Sequence, residues 1–172
     1  EPGDEVLIPA PDYPLWTAAT VLNGGKAVHY QCRAENRFLP DPDELEAQIT
    51  PRTRALVVIN PNNPTGAVYP RSLLKRLAGI AERHDLVLLS DEIYDAITFE
   101  DAEFVPLATL VEDAVCITFG GLSKVYRACG WRVGWMVVPD SLVRPVERLA
   151  QNLFICPSHV GQVAALAAMD CP

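Results

Sequence analysis

Long apolar runs, a basic charge balance and a leader-like start are all absent from this 172-residue sequence. No uninterrupted apolar stretch approaches the roughly 20 residues that a membrane-spanning helix needs, and residues 1–4 lack the basic start of a signal peptide. Lys and Arg number 14 against 22 Asp and Glu, and the net charge of -8 argues against a nucleic-acid backbone or an anionic membrane as partner. These absences favour an acidic protein of the cytoplasm.

The sequence also lacks the usual metal-binding and nucleotide-binding patterns. No two cysteines form a CxxC motif, and we expect all five to be reduced thiols. They are Cys32, Cys116, Cys129, Cys156 and Cys171. His29, His84 and His159 have no carboxylate or cysteine at ligand spacing, so we expect no metal site. Neither a GxGxxG nor an HExxH motif is present.

Strand-like and helix-like segments alternate along the chain. Short apolar runs bounded by turn residues predict strands at residues 6–8, 27–30, 55–59, 86–89, 115–119 and 133–138. Helical spacing occurs at residues 13–22, 42–49, 70–83, 141–154 and 158–169. This alternation predicts an α/β fold with a mostly parallel sheet and helices on both faces. In such sheets, ligands bind beyond the carboxyl ends of the strands.

The organisation is that of one continuous unit. With 49% hydrophobic and 21% charged residues, the chain can bury a sizeable core. No repeat, low-complexity tract or Gly/Ser linker divides it. The opening EPGD turn leads at once into the strand-like residues 5–9. We therefore expect that the sequence begins in mid-fold.

Three polar clusters each follow an apolar strand-like run. They are NPNNPTG at residues 60–66, SDEIY at residues 90–94 and GGLSK at residues 120–124. Each has a plain structural explanation: a turn for the first, a helix N-cap or surface pair for Asp91 and Glu92, and a solvated loop lysine for Lys124. Their shared position at strand ends indicates instead a common site.

The residue types in these clusters suit a planar cofactor that carries a carbonyl group. An Asn before Pro can present its amide at a fixed angle, particularly when the peptide bond is cis. Asp91, at the mouth of the sheet, can keep a pyridine nitrogen protonated, and Tyr94 can bond to the same ring. Lys124 can form a Schiff base and later act as a general base. Arg127 and Arg132 are candidate neighbouring cations.

In this order, the three clusters resemble the class I/II aminotransferases of pyridoxal 5'-phosphate (PLP) fold type I. The large domain of that family carries an NPxNPTG turn, a DExY strand end and an SKxxxxxGxRxG lysine segment, which here are residues 60–66, 91–94 and 123–134. The resemblance implies a three-layer α/β large domain with PLP as cofactor. It also implies that residues 1–172 are the central part of that domain, without its N-terminal phosphate-loop segment and the C-terminal small domain.

Residue by residue, the resemblance assigns catalytic roles to Lys124, Asp91 and Tyr94. Lys124 would bond covalently to PLP, and Asp91 would pair with the pyridine nitrogen. Tyr94 and Asn63 would contact the 3-oxygen of the ring. These four residues come from all three polar clusters, so the resemblance requires the clusters to meet in space.

The same resemblance assigns the remaining cofactor contacts. Tyr13, in the segment APDYPLW, falls where the family places an aromatic ring that stacks on PLP. Arg132 would bind the phosphate, with Ser123 as a second phosphate contact. The position three before the lysine, often Ser in the aspartate branch, is Gly121 here. We therefore expect one phosphate hydrogen bond to be missing or supplied differently.

The expected substrate rests on a local pattern. The sequence SKxYRxxGxR together with PDYPLW resembles the bacterial alanine-forming glutamate:pyruvate aminotransferases. The resemblance implies transamination between an amino acid, with alanine or glutamate as the best guess, and a 2-oxo acid. It implies a homodimer for the intact enzyme, and we expect the fragment alone to be nearly inactive.

Three alternatives stay open at this point. The same clusters serve PLP-dependent carbon–sulfur lyases, which a comparison of cystathionine with alanine as substrate would separate. They also occur in non-catalytic, ligand-sensing domains of regulators, where a helix-turn-helix would precede residue 1. The third alternative is a structural piece whose lysine never meets PLP.

Overall fold

The computed structural model describes residues 1–99 and 101–170, so the expectation for Cys171 falls outside the described part. The strands are β1 Glu5–Ala10, β2 Lys26–Gln31, β3 Thr53–Ile59, β4 Val87–Asp91, β5 Cys116–Gly121 and β6 Gly134–Val137. The α-helices are α1 Leu15–Leu22, α2 Pro42–Glu46, α3 Arg71–Arg83, α4 Asp140–Leu153 and α5 His159–Met169. Short 3-10 helices span Ala34–Asn36, Leu107–Leu110 and Cys129–Trp131.

All six strands form one sheet in the order β2-β1-β3-β4-β5-β6. Every neighbouring pair is parallel except β5 and β6, which run antiparallel. The carboxyl ends of β3, β4 and β5 therefore meet at one edge of the sheet. The register places Asp91 beside Ile59 on one side and Phe119 on the other. The predicted α/β fold with a mostly parallel sheet is confirmed.

One face of the sheet is covered by α2 and α3. The fully buried side chains there include Leu56 and Leu88 from the strands, Leu45 from α2, and Leu74 and Leu77 from α3. The buried positions of α3 recur every three to four residues, which is the spacing of a helix that buries one stripe. Each fully buried leucine contributes about 1.5–3 kcal/mol relative to an exposed one.

The opposite face of the sheet is covered by α1. Ile8, Val57 and Ile59 are buried there, and Trp16 from α1 packs against them. Helices on both faces give the three layers that the resemblance implies. On the α1 side, α1 leaves the carboxyl ends of β3, β4 and β5 uncovered, and the polar clusters lie there.

Prolines set where two helices begin. The sequence predicts α1 from residue 13, but the helix begins at Leu15 because Pro14 is its N-cap residue. The ring of a proline disfavours the helical backbone conformation for the residue before it, so Tyr13 stays outside the helix. Likewise α3 begins at Arg71, and Pro70 is an extended N-cap rather than part of the first turn.

The start of α2 agrees with the sequence, but its end does not. Asp41 caps the helix by accepting two backbone N–H groups of the first turn, at 2.9 and 3.4 Å. The helix ends at Glu46 rather than at residue 49. The reason is a switch to tighter bonding, since the N–H of Gln48 bonds to the carbonyl of Leu45, three residues back.

The C-terminal part of the chain is far less buried. Among the described residues, α4 contributes no buried side chain, and α5 buries only Gly161 and Ala165. Leu149, Leu153 and Leu166 remain exposed. Strand β6 lies at the sheet edge, and three of its four residues are exposed. None of the described helices is long and apolar enough to cross a membrane.

Candidate active site

A cavity of about 550 Å³ opens beyond the carboxyl ends of β3, β4 and β5, on the face that α1 covers. It lies where parallel α/β sheets generally bind ligands, and its size is within the range of small-molecule pockets, roughly 300–1,000 Å³. All seven residues that the sequence predicts as site residues line it. They are Tyr13, Asn63, Asp91, Tyr94, Ser123, Lys124 and Arg132.

Asp91, the last residue of β4, is held by two neutral N–H donors. Its Oδ2 atom accepts a hydrogen bond from the indole Nε1 of Trp16 at 2.9 Å. Its Oδ1 atom accepts one from the backbone N–H of Ile93 at 3.3 Å. Because both partners are uncharged, the carboxylate can still present its negative charge to a cationic group in the cavity.

Glu92 follows Asp91 directly but serves the other face of the sheet. Its buried Oε1 atom accepts hydrogen bonds from the Ser90 hydroxyl at 2.8 Å and the backbone N–H of Leu107 at 2.9 Å. Burial is the largest cause that raises the pKa of the Glu92 carboxyl. The neighbouring carboxylates raise it further, and the two hydrogen bonds lower it. The surface-pair explanation of the two acids is therefore wrong, since Glu92 is buried and anchors the loop after β4.

The asparagines in the turn after β3 have two different roles: two make hydrogen bonds within the fold, and one faces the cavity. Asn60 Oδ1 accepts a hydrogen bond from the backbone N–H of Tyr69 at 2.8 Å. Asn62 Oδ1 accepts one from the Thr65 hydroxyl at 2.7 Å. Both Asn–Pro peptide bonds of the turn are cis. Asn63 is the asparagine of this turn that lines the cavity.

Lys124 lies in the turn that follows β5. The turn is closed by the N–H of Ala128, which bonds to the carbonyl of the buried Leu122 at 3.1 Å. The exposed Lys124 extends its amine over the ring of Tyr94, with 5.7 Å between Nζ and the ring centroid. This is within cation–π range. The second and third polar clusters therefore meet through these two side chains.

The two predicted cations behave differently. Arg132 lines the cavity, and its Nη1 atom donates to the carbonyl of Cys129 at 2.8 Å. Arg127 does not belong to the cavity wall. Both residues have left-handed backbone conformations, with φ of 55° and 52°, which cost non-glycine residues roughly 1–2 kcal/mol. Only Arg132 is therefore placed to meet a ligand in this cavity.

Sequence reasoning missed Trp16 and Phe119, which also line the cavity. Their rings meet edge to face, with centroids 5.3 Å apart and an interplanar angle of 77°. Trp16 lies three residues after Tyr13, but helical spacing does not relate the two, because Tyr13 lies outside α1.

The chemistry of the cavity wall fits PLP. Asp91 suits a protonated pyridine nitrogen, and the amine of Lys124 suits an aldehyde. The Arg132 guanidinium suits a phosphate. The half-exposed ring of Tyr13 provides a flat apolar face. Groups of these four kinds around one cavity match the chemical groups of a single phosphorylated, aldehyde-bearing pyridine.

A second cavity, of about 490 Å³, lies near the start of α3 and contains none of the predicted site residues. Its charged wall mixes both signs, with Arg37 and Arg71 alongside Asp101 and Glu103. Within residues 1–99 and 101–170, no group of three or more His, Cys, Asp or Glu side chains is arranged to hold a metal ion.

The chain is similar to known proteins over its whole length. Residues 1–172 match the family model described as Aminotransferase class I and II. Glutamate-pyruvate aminotransferase AlaA of Escherichia coli (strain K12) is 57% identical over 173 aligned residues, which cover 97% of this chain and 42% of that protein. Alanine aminotransferase of Mycobacterium tuberculosis (strain ATCC 25618 / H37Rv) is 49% identical, covering 97% of this chain and 40% of that protein.

The same similarity appears in three dimensions. The solved structure of alanine aminotransferase from Pyrococcus furiosus superposes with a TM-score of 0.92 at 43% sequence identity. The superposition covers 100% of this chain and 45% of that one. The chain therefore spans less than half the length of the relatives that it matches.

Proposed function

The chain belongs to the aminotransferase class I and II family, and from this premise we propose that the whole protein is a PLP-dependent aminotransferase. It transfers an amino group between an amino acid and a 2-oxo acid. The observation that carries the proposal is the convergence of all seven predicted cofactor and catalytic residues on one cavity. Those residues come from four separate stretches of the chain, so a chance grouping of motifs would not bring them together.

Alanine and glutamate are the proposed amino acids. Support comes from the names of relatives in the 49–57% identity range, a glutamate-pyruvate aminotransferase and an alanine aminotransferase. The structural match to an alanine aminotransferase points the same way. These names do not support the carbon–sulfur lyase or the ligand-sensing alternative.

Bound PLP supplies an aldehyde that bonds to amines and a ring that withdraws electrons from the attached carbon. Asp91 would keep the ring nitrogen protonated, because its carboxylate charge is in place before any proton moves. Lys124 would hold PLP by condensing its amine with the aldehyde, which releases one water molecule. When free of the cofactor, the same amine would act as the general base that takes the proton from the substrate α-carbon. Tyr94, beside the Lys124 amine, orients it.

The remaining wall residues bind and orient the cofactor. Tyr13 would cover one face of the ring, and the Asn63 amide and the Tyr94 hydroxyl would donate to the ring oxygen. Arg132 and Ser123 would hold the phosphate, for which Arg132 provides a forked, permanently charged donor set. In this proposal Lys124 moves the proton and Asp91 stabilises the charge.

We also propose that residues 1–172 form the central part of the large domain and are nearly inactive alone, since they span 40–42% of the curated relatives. The whole protein is proposed to be a cytoplasmic homodimer. The cysteines Cys32, Cys116, Cys129 and Cys156 are free thiols, as a reducing compartment requires.

The test is borohydride reduction of the PLP-treated full-length protein, followed by peptide mass mapping. Residues 1–172 contain three lysines, Lys26, Lys75 and Lys124, so the first two are internal controls. Lys26 is exposed and pairs with Glu5 at 2.8 Å. We expect the reduced phosphopyridoxyl group on Lys124 alone of these three. A label on Lys26 or Lys75 instead, or no label, contradicts the proposal.

Activity provides the second arm of this test. Lys124→Ala should lower turnover by at least about 100-fold, the lower end of the range for positioned proton transfer. Lys75→Ala, a lysine on α3 outside the cavity, should keep wild-type turnover. Equal activity of the two variants would show that Lys124 takes no part in the reaction.

A further inference from the structure

A tryptophan from α1 provides the side-chain contact to the Asp91 carboxylate. The indole Nε1 of Trp16 donates to Asp91 Oδ2 at 2.9 Å, across 75 positions in sequence. The other described contact of this carboxylate is the backbone N–H of Ile93, 3.3 Å from Oδ1. Each carboxylate oxygen therefore has one N–H partner, and together the two partners fix the rotation of the carboxylate plane.

The indole ring is itself held on several sides. Phe119 meets it edge to face, with 5.3 Å between ring centroids. The buried cluster that includes Val57 and Ile59 packs against it. The Thr20 hydroxyl donates to the carbonyl of Trp16 at 2.9 Å, which fastens the backbone one helical turn along. A donor held in this way can define the position of its acceptor.

Without such a donor, the carboxylate would be less well defined. The torsion that turns the carboxylate plane of an aspartate is broad and roughly two-fold, so the side chain does not fix its own orientation. An ionised carboxylate has about four lone-pair positions, and two of them are used by the described N–H groups. The remaining positions are aimed at the cavity only while the plane stays fixed.

We propose that Trp16 is a positioning residue, whose indole N–H orients Asp91 toward the ring nitrogen of PLP. This inference rests on the proposed function, because it requires Asp91 to meet that nitrogen. Trp16 acts through Asp91 and takes no proton itself, since an indole N–H is a donor only. Loss of the donor leaves the charge of Asp91 in the site but lets the carboxylate turn away from the cofactor.

The test is a double-mutant cycle on the full-length protein with Trp16→Phe and Asp91→Asn. Phenylalanine keeps an aromatic ring against Phe119 but lacks the N–H donor. The first readout is the dissociation constant of PLP from the apoenzyme, measured by absorbance titration, and the second is kcat. We expect Trp16→Phe to weaken PLP binding and lower kcat by roughly 10-fold each, the lower end for a hydrogen bond to a charged group.

The cycle distinguishes positioning from a general packing role. If Trp16 acts through Asp91, Trp16→Phe should change PLP binding less than about 2-fold in the Asp91→Asn background, since coupled residues are non-additive. Equal losses in both backgrounds would overturn the inference. So would wild-type PLP affinity and kcat in the Trp16→Phe single variant.

Two further variants protect the test against misfolding. Trp131→Phe makes the same chemical change at an exposed tryptophan outside the cavity, and it should leave PLP affinity unchanged. Phe119→Leu keeps the Trp16 donor but removes the ring that steadies it, and it should weaken PLP binding by a smaller factor. If Trp16→Phe does not fold, unchanged PLP affinity in Phe119→Leu overturns the inference.

The same experiment separates this inference from the proposed function. If the wild type binds PLP and Asp91→Asn weakens that binding while Trp16→Phe does not, only the role of Trp16 fails. If the wild type binds no PLP at all, the proposed function and this inference fail together.

Discussion

Residues 1–91 and residues 116–170 differ in how deeply their side chains are buried. The first region contains β1 to β4 with α1, α2 and α3, and most of the fully buried leucines, isoleucines and valines belong to it. In the second region, α4 buries no side chain among the described residues and β6 is an exposed edge. The cavity lies between them, with Asp91 and Asn63 from the first and Lys124 and Arg132 from the second. Asp91 and Asn63 thus rest on a packed core, whereas Lys124 and Arg132 rest on a more exposed region.

The largest expected effect is the difference in stability loss between two leucine-to-alanine substitutions, one in each region. Leu74 on α3 is 0% exposed, and Leu149 on α4 is 61% exposed. Leu74→Ala should lower the free energy of unfolding by about 2–5 kcal/mol through lost burial and a cavity. Leu149→Ala should change it by less than about 0.5 kcal/mol, as at other surface positions. Chemical denaturation of the 172-residue chain, followed by circular dichroism, measures both.

The comparison would be contradicted if Leu149→Ala caused a large loss in the free energy of unfolding. It would mean that the exposed face of α4 is covered in solution, for example by a second copy of the chain. A concentration series would then show a midpoint that rises with protein concentration. A midpoint independent of concentration, with a small Leu149 effect, would sharpen the comparison instead.

An intermediate effect is expected at Gly120 in β5, the strand of the second region that pairs with β4 of the first. A Cβ atom there would lie 2.5 Å from the indole Nε1 of Trp135, the cross-strand partner. Gly120→Ala should therefore cost about 1–3 kcal/mol of stability by overpacking. Gly130→Ala is the matched control, since a Cβ atom at Gly130 meets nothing within 4 Å. Equal thermal midpoints for the two variants would show that the Trp135 side chain moves away from residue 120 at little cost in stability.

The smallest effect is expected at the buried Glu92, which ties β4 to the 3-10 helix Leu107–Leu110. Its pKa is raised above the ordinary 4.5 by burial, so the folded state binds a proton more tightly than the unfolded state. The stability that Glu92 contributes is therefore full below pH 4.5 and is lost as pH rises through its folded pKa. Glu92→Gln keeps an acceptor oxygen but has no such loss. Its stability relative to wild type should rise across that window, by less than about 1.5 kcal/mol.

Glu5 provides a control of opposite sign. The hydrogen bond from Lys26 is the largest cause that lowers the pKa of Glu5 below the ordinary 4.5. Its contribution is therefore present above pH 4.5 and is lost as pH falls through the folded pKa. Denaturation midpoints of Glu5→Gln and Glu92→Gln between pH 3 and pH 8 should drift from wild type in opposite directions. Parallel drifts would contradict the assignment of either carboxyl.

Much of the fold was predictable because buried parallel strands have a strong local signal. The apolar run at residues 55–59 and the stripe on α3 each indicate their element without knowledge of the rest of the chain. The direction of β6 was not predictable, since an apolar run reads the same in a parallel or an antiparallel strand. Helix ends also escaped prediction where a proline N-cap or a three-residue hydrogen bond intervened.

The candidate site, like the fold, was predictable from the sequence only in part. The resemblance named Lys124 and Asp91, and the structure brings both to one cavity. It did not indicate that Trp16 bonds to Asp91, because a contact across 75 positions leaves no local pattern. The resemblance named Asp91 and not Glu92, and the structure gives the physical reason, since the two side chains alternate across the sheet.

The register of β4 decides which acid the cavity receives. Asp91 faces the cavity because it stands beside Ile59 and Phe119. A one-residue slip of the strand would turn every side chain to the opposite face. Either Ser90 or Glu92 would then occupy the place of Asp91, so the cavity would hold a hydroxyl or a carboxylate one methylene longer. A deletion within β4 would therefore change the chemistry of the protein before it changed the outline of its fold.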